Sequence, residues 1–131
     1  MALVHLLVVA ALLQLVVFGV LVGRARVRYG VKAPATSGNE HFERYYRVQM
    51  NTLELMILLI PSTWIASTYW NPLFVAAMLA VYLIGRFIYF RAYVQDPSKR
   101  GTGFLISFSP IGVLMAAAIA GAGWSLFQNG W

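Results

Sequence analysis

The sequence contains no cysteine, two histidines and only four acidic residues in 131 positions. Without cysteine there is no disulfide framework, no thiolate nucleophile and no palmitoylation site. Any thiol chemistry must therefore use a thiol carried by a substrate. His5 and His41 lie far apart and form no metal-ligand spacing, so no metal is expected. Charge is scarce altogether: Asp, Glu, Lys and Arg make up 11% of the chain, against 60% hydrophobic residues. A soluble domain of this length needs more polar surface than that. Apolar runs of about 20 residues instead read as membrane-spanning helices. Four such runs use nearly the whole length, which predicts one membrane domain over 1–131 and no soluble appendage. The shortage of acids leaves a formal net charge of +6. In a soluble protein that excess would point to nucleic acid. In a membrane chain it reads as topology, and no nucleic-acid partner is expected.

The runs place helices at about 2–23, 41–69, 73–95 and 104–127, an all-α four-helix membrane bundle. Arg24, Arg26, Arg28 and Lys32 are expected to stop the first helix, and Pro34 to Asn39 is turn-forming sequence. Asn39 or Ser37 would cap the second helix, with Glu40 and Glu43 near its positive end. Pro61 should bend that helix, since it removes a backbone donor. The connection Tyr69-Trp70-Asn71-Pro72 is short and uncharged, with aromatics suited to a membrane interface. Gly112, Ala116, Gly121 and Gly123 would permit close contacts of the fourth helix.

All ten basic residues lie in or next to the first and third connections, and the second connection and both termini have none. By the positive-inside rule the charged loops 24–47 and 95–103 are cytoplasmic and both termini lie on the opposite face. The expected location is a bacterial inner membrane.

Within the second helix, Arg47, Asn51 and Glu54 recur at spacings of four and three, which puts them on one stripe roughly 60° wide. In the third helix Tyr82, Arg86, Tyr89 and Tyr93 share a stripe in the same way. Both stripes fall in the half of the membrane nearest the charged loops, where Arg26 and Arg100 also lie. Glu54 could simply pair with Arg86 or Arg47, as buried membrane charges commonly do. One acid cannot, however, neutralise Arg47, Arg86 and Arg100 together. A surplus of cationic donors around one carboxylate suits an anionic ligand that carries one ammonium group.

The segments FERYYRVQMNTLE (42–54) and GRFIYFRAYVQDPSKR (85–100) resemble the two signatures of the MAPEG family, the membrane-associated proteins of eicosanoid and glutathione metabolism. The NTLE and PSKR wording is most similar to the type-three microsomal glutathione transferases, and leukotriene C4 synthase has a similar pattern. The resemblance covers about Arg24 to Arg100. It implies a homotrimer with glutathione bound between neighbouring subunits, acting as co-substrate toward a hydrophobic electrophile or a lipid hydroperoxide that approaches from the bilayer. Carried over position by position, it implies glutathione contacts at Arg26, Arg47, Gln49, Asn51, Glu54, Arg86, Tyr89 and Tyr93. It implies that Arg100 stabilises the glutathione thiolate. A free thiol has a pKa of about 8.5 and only its anion is nucleophilic, so a guanidinium beside the sulfur would favour the reactive form.

The sequence departs from the family pattern at Leu55, where several relatives have a tyrosine that contacts glutathione, and at Ile57, where many have a proline. Gly101 leaves no serine beside the thiolate position, which argues against close kinship with prostaglandin E synthase. Two other functions fit parts of the sequence: a non-catalytic membrane scaffold or lipid-binding relative, and a small four-helix multidrug transporter with one membrane-embedded glutamate. Against the transporter stand a first helix without any acid and a one-sided charge distribution.

Overall fold

The computed structural model describes residues 1–130 and is all-helical over them. Helix α1 spans Ala2–Tyr29, α2 Glu40–Tyr69, α3 Pro72–Gln95 and α4 Gly101–Asn129, with a 3-10 turn, Pro97–Arg100, leading into α4. All four α-helices are long and apolar enough to cross a membrane. At about 1.5 Å per residue the longer ones rise more than 40 Å, against roughly 30 Å of hydrocarbon, so their ends project beyond it.

Helices α2 and α3 are the central pair. Helix α1 packs on both from one side and α4 on both from the other, with α3 against α4 the most extensive pairing. The packing seams follow a seven-residue repeat. On α1 the buried positions include Val4, Ala11, Phe18 and Ala25; on α3 they include Val75, Leu79, Tyr82, Arg86 and Tyr89. A repeat that averages 3.5 residues keeps one seam facing its neighbours along a left-handed bundle. The remaining surface is largely apolar: Leu6, Val17, Ile57, Leu73, Ile84 and Ile119 are all more than half exposed. Such a surface is compatible with lipid or with other membrane subunits, not with water.

Two expectations from sequence are revised. Arg24, Arg26 and Arg28 do not end α1 but form its last turns, where cations complement the negative end of the helix. The stop falls at Gly30, whose left-handed backbone (φ 68°) closes the helix through its amide to the Arg26 carbonyl. Pro61 lies inside α2, as expected, and Pro110 inside α4. The close approaches extend beyond the small residues expected on α4: a Cβ on Gly85 would overlap the Ser107 backbone, and one on Gly103 would overlap Tyr89. Of the expected residues, Gly121 makes such a contact, with Tyr69 of α2, while Gly112 and Gly123 have nothing packed against them. Asn39, of the two capping candidates, caps α2 by accepting from the His41 and Phe42 amides.

Candidate functional site

The stripe on α2 forms as its spacing requires. Arg47 Nη1 lies 3.3 Å from Glu54 Oε1, and Asn51 Nδ2 donates to Glu54 Oε2 at 3.3 Å. Both charged side chains are about half exposed. Glu54 therefore pairs with Arg47 on the outside of the bundle, not with Arg86.

Arg86 lies inside the bundle at 0% exposure. Its guanidinium donates to Asn51 Oδ1 (3.1 Å) and Thr52 Oγ1 (2.8 Å) on α2 and to Ser107 Oγ (3.3 Å) on α4. It also sits 4.1 Å from the centre of the Tyr89 ring. Thr52 and Ser107 donate in turn to the Val48 and Gly103 carbonyls of their own helices, which aims their lone pairs at the guanidinium. The Arg86 contact orients the Asn51 amide, with its oxygen inward and its nitrogen toward Glu54. Arg86, Asn51, Glu54 and Arg47 thus form one hydrogen-bonded chain from the interior to the surface.

Outside this layer, a groove of about 440 Å³ is lined by Arg47, Asn51, Tyr89, Tyr93, Arg100 and Phe104. The Tyr89 and Tyr93 rings lie 5.4 Å apart on α3, and Phe104 of α4 closes against Tyr89. The 3-10 turn places Arg100, whose Nη1 donates to the Pro97 carbonyl at 2.8 Å and whose guanidinium lies 5.9 Å from the Tyr93 ring. Asp96 starts that turn by accepting from the Ser98 hydroxyl and amide. These bonds, the hydroxyl's first, hold the Asp96 carboxyl below the usual aspartate range. The lining contains two guanidinium groups, two phenols and an amide, and no carboxylate. A second depression, of about 390 Å³, adjoins it through Arg47 and Tyr93 and carries Glu40, Glu43 and Arg44.

Two of the candidate residues lie elsewhere. Gln49 is two positions from both Arg47 and Asn51, about 200° around the helix, and packs against Gly19 of α1. Arg26 donates to the Ala35 carbonyl at 2.6 Å and covers the Phe42 ring at 4.7 Å. Neither lines the groove. Three contributors escape the sequence reading: Phe104, Thr52 and Ser107. Thr52 follows Asn51 directly, and Ser107 lies four residues after Gly103, but Ser and Thr in a span bond their own helix whichever way they face. Leu55 is buried in the main core with Leu59, Leu79 and Leu114, away from the groove lining.

Four apolar helices, with a cationic groove lined from α2, α3 and the start of α4, define an integral, multi-pass membrane protein that gathers guanidinium and phenol groups at one end of its bundle. The MAPEG family model matches residues 4–120. An uncharacterized protein of Synechocystis sp. is 43% identical over 107 residues, covering 82% of this chain and 78% of its own. Microsomal glutathione S-transferase 2 of Homo sapiens is 38% identical over 105 residues, 80% of this chain and 69% of its own. Leukotriene C4 synthase of Cavia porcellus is 34% identical over 104 residues, 79% of this chain and 69% of its own. The chain belongs to the MAPEG family.

Proposed function

We propose that the protein is a glutathione-dependent membrane transferase. One observation carries this reading: the groove presents Arg47, Arg100, Asn51, Tyr89 and Tyr93 with no carboxylate among its lining residues. Glutathione brings two carboxylates, one ammonium and a thiol. Arg47 and the tyrosines offer donors for the carboxylates. Glu54, one turn beyond Asn51 on α2, offers an acceptor for the ammonium. Arg86 enters as the residue that holds Asn51 and Tyr89 in place; at 0% exposure it acts through them.

In this reading Arg100 faces the sulfur. Its guanidinium stabilises the thiolate over the thiol, and each unit of pKa lowering corresponds to about 1.4 kcal/mol. The thiolate then attacks an electrophilic carbon, forms a C–S bond and displaces the leaving group. With a lipid hydroperoxide the same thiolate attacks the outer oxygen: an S–O bond forms as the O–O bond breaks, and the lipid alkoxide takes up a proton and leaves as the alcohol. A second glutathione converts the resulting sulfenic acid to glutathione disulfide and water. The lipophilic partner reaches the groove from the bilayer.

The homotrimer belongs to the same proposal. Arg26 and Gln49 lie off the groove of their own chain, so a neighbouring copy is the means by which they would join a glutathione site. The charged end of the bundle, with loops 24–47 and 95–103, is placed in the cytoplasm of a bacterial cell, in keeping with the one-sided arginines.

Conjugation of a model aryl halide by purified protein, beside calorimetric glutathione binding, tests the reading. Arg100→Ala should lower turnover by roughly two orders of magnitude, as loss of one charge-stabilising donor does, while glutathione binding falls much less. Full turnover by this variant would falsify the role given to Arg100. A folded wild-type protein that binds no glutathione would overturn the whole proposal.

A further inference from the structure

A second basic feature lies at the charged end of α1, separate from the groove. Arg24 and Arg28, one helical turn apart, line a cleft of about 160 Å³ with Leu21, Ala25, Tyr29 and Tyr45. Both arginines are exposed. Arg28 lies 5.5 Å over the Tyr29 ring. Tyr29 stacks on His41 and Tyr45 leans on Phe90, so both aromatic walls are held by neighbours. Among the described residues no carboxylate reaches either arginine, because all four acids are engaged elsewhere. Glu40 pairs with Arg44, Glu54 with Arg47 and Asp96 with Lys99, while Glu43 accepts from the Gly38 amide.

The negative end of the α1 dipole offsets only part of this charge, since its effect amounts to about half an elementary charge. The cleft also has an apolar floor. Leu21, in its lining, packs with Phe90 against the cluster of Phe18, Val48 and Tyr89, and the Phe18 and Phe90 rings stack at 5.2 Å. From there the surface of α1 continues into Val20 and Val17, each more than half exposed. Two unpaired guanidinium groups and two phenols thus stand at the mouth of an apolar flank, at the end of a membrane-spanning helix.

We propose that this cleft holds the phosphate headgroup of an anionic phospholipid, with its acyl chains along the exposed flank of α1. Arginine suits a phosphate through paired donors. Basic clefts between helices at a membrane surface provide that match for lipid headgroups. A free anion would gain only the screened charge attraction of an open cleft; a lipid adds burial of its chains on the apolar flank. The inference is independent of glutathione chemistry.

The test uses the full chain in phosphatidylcholine nanodiscs that contain a minority of phosphatidylglycerol, with bound lipid read by native mass spectrometry after detergent exchange. Wild type should retain phosphatidylglycerol selectively. Arg24→Gln/Arg28→Gln should lose that preference by about tenfold or more, with glutathione turnover unchanged. The charge-matched variant Lys32→Gln/Arg91→Gln, which alters exposed basic residues outside the cleft, should keep it. Retention by the cleft variant, or equal loss in the matched variant, would show a general surface attraction and sink the proposal. Displacement of the lipid by inorganic phosphate at comparable concentration would overturn the headgroup assignment in favour of a free-anion site. A cleft variant that falls apart into smaller oligomers would reassign the arginines to a subunit contact.

Discussion

Arg86 and Arg100 stand on either side of Tyr89 and Tyr93, and the protein treats their charges in opposite ways. Arg86 is sealed inside the bundle, where an amide, two hydroxyls and an aromatic face receive its guanidinium. Arg100 sits on an exposed turn with one carbonyl partner. A buried cation without a counter-ion is costly to a membrane protein unless dipoles are fixed around it. Those dipoles are supplied by three helices, so the charge locks α2, α3 and α4 in one arrangement. The groove has the converse economy: its guanidinium groups are left with unused donors, which is what an incoming anion requires. The interior arginine specifies a geometry, and the surface arginine is left available.

Removing the interior charge should have the largest effect. Arg86→Ala deletes a fully buried side chain and leaves Asn51, Thr52 and Ser107 without their common donor. A loss of about 2–5 kcal/mol is expected from the cavity alone, seen as a large drop in the thermal midpoint of the detergent-solubilised protein. Arg86→Lys keeps the charge but not the planar fork, so it should recover only part of the stability. A variant as stable as wild type would show that the interior layer is not what holds the three helices together.

The next effect concerns the backbone behind the groove. Gly103→Ala puts a methyl group into Tyr89, against backbone that cannot swing aside. Forcing α3 from α4 there should cost about 1–3 kcal/mol and shift the Tyr89 wall. Glutathione affinity and thermal stability should therefore fall together. Gly112→Ala, on the same helix but with open space around it, should change neither. An equal effect at both positions would mean that the damage is not local packing.

Much of this arrangement is legible in the sequence because membrane helices carry few polar residues, so each stands out against an apolar background. The stripe Arg47–Asn51–Glu54 and the tyrosines of α3 are visible from spacing alone. The division between interior and groove is not. Spacing places Arg86, Tyr89 and Tyr93 on one stripe, but only the approach of α4 at Gly85 and Gly103 decides which of them it covers. The sequence likewise reads the arginines of α1 as a stop signal, because charge in an apolar run usually marks the membrane edge. A helix can instead continue past the edge with its cations at its negative end, as α1 does.

The smallest effect should come from the turn that positions Arg100. Asp96 accepts from the Ser98 hydroxyl and amide, and these bonds hold its carboxyl below the usual aspartate range. A depressed folded-state pKa means that the stabilisation is present above the unfolded pKa and is lost as pH falls through the folded value. The turn should thus be intact at neutral pH and loosen only below the ordinary aspartate pKa of about 3.9. Hydrogen exchange at the Ser98 amide is the direct measurement: protection should hold at neutral pH and disappear on strong acidification. Asp96→Asn keeps an acceptor without a titrating charge, so its protection should not vary with pH over that range. Asp96→Ala should lose protection at every pH and lower conjugation modestly, because Arg100 is then held only by the Pro97 carbonyl. If Asp96→Ala leaves both exchange and turnover unchanged, Arg100 is positioned by the start of α4 and not by the turn before it.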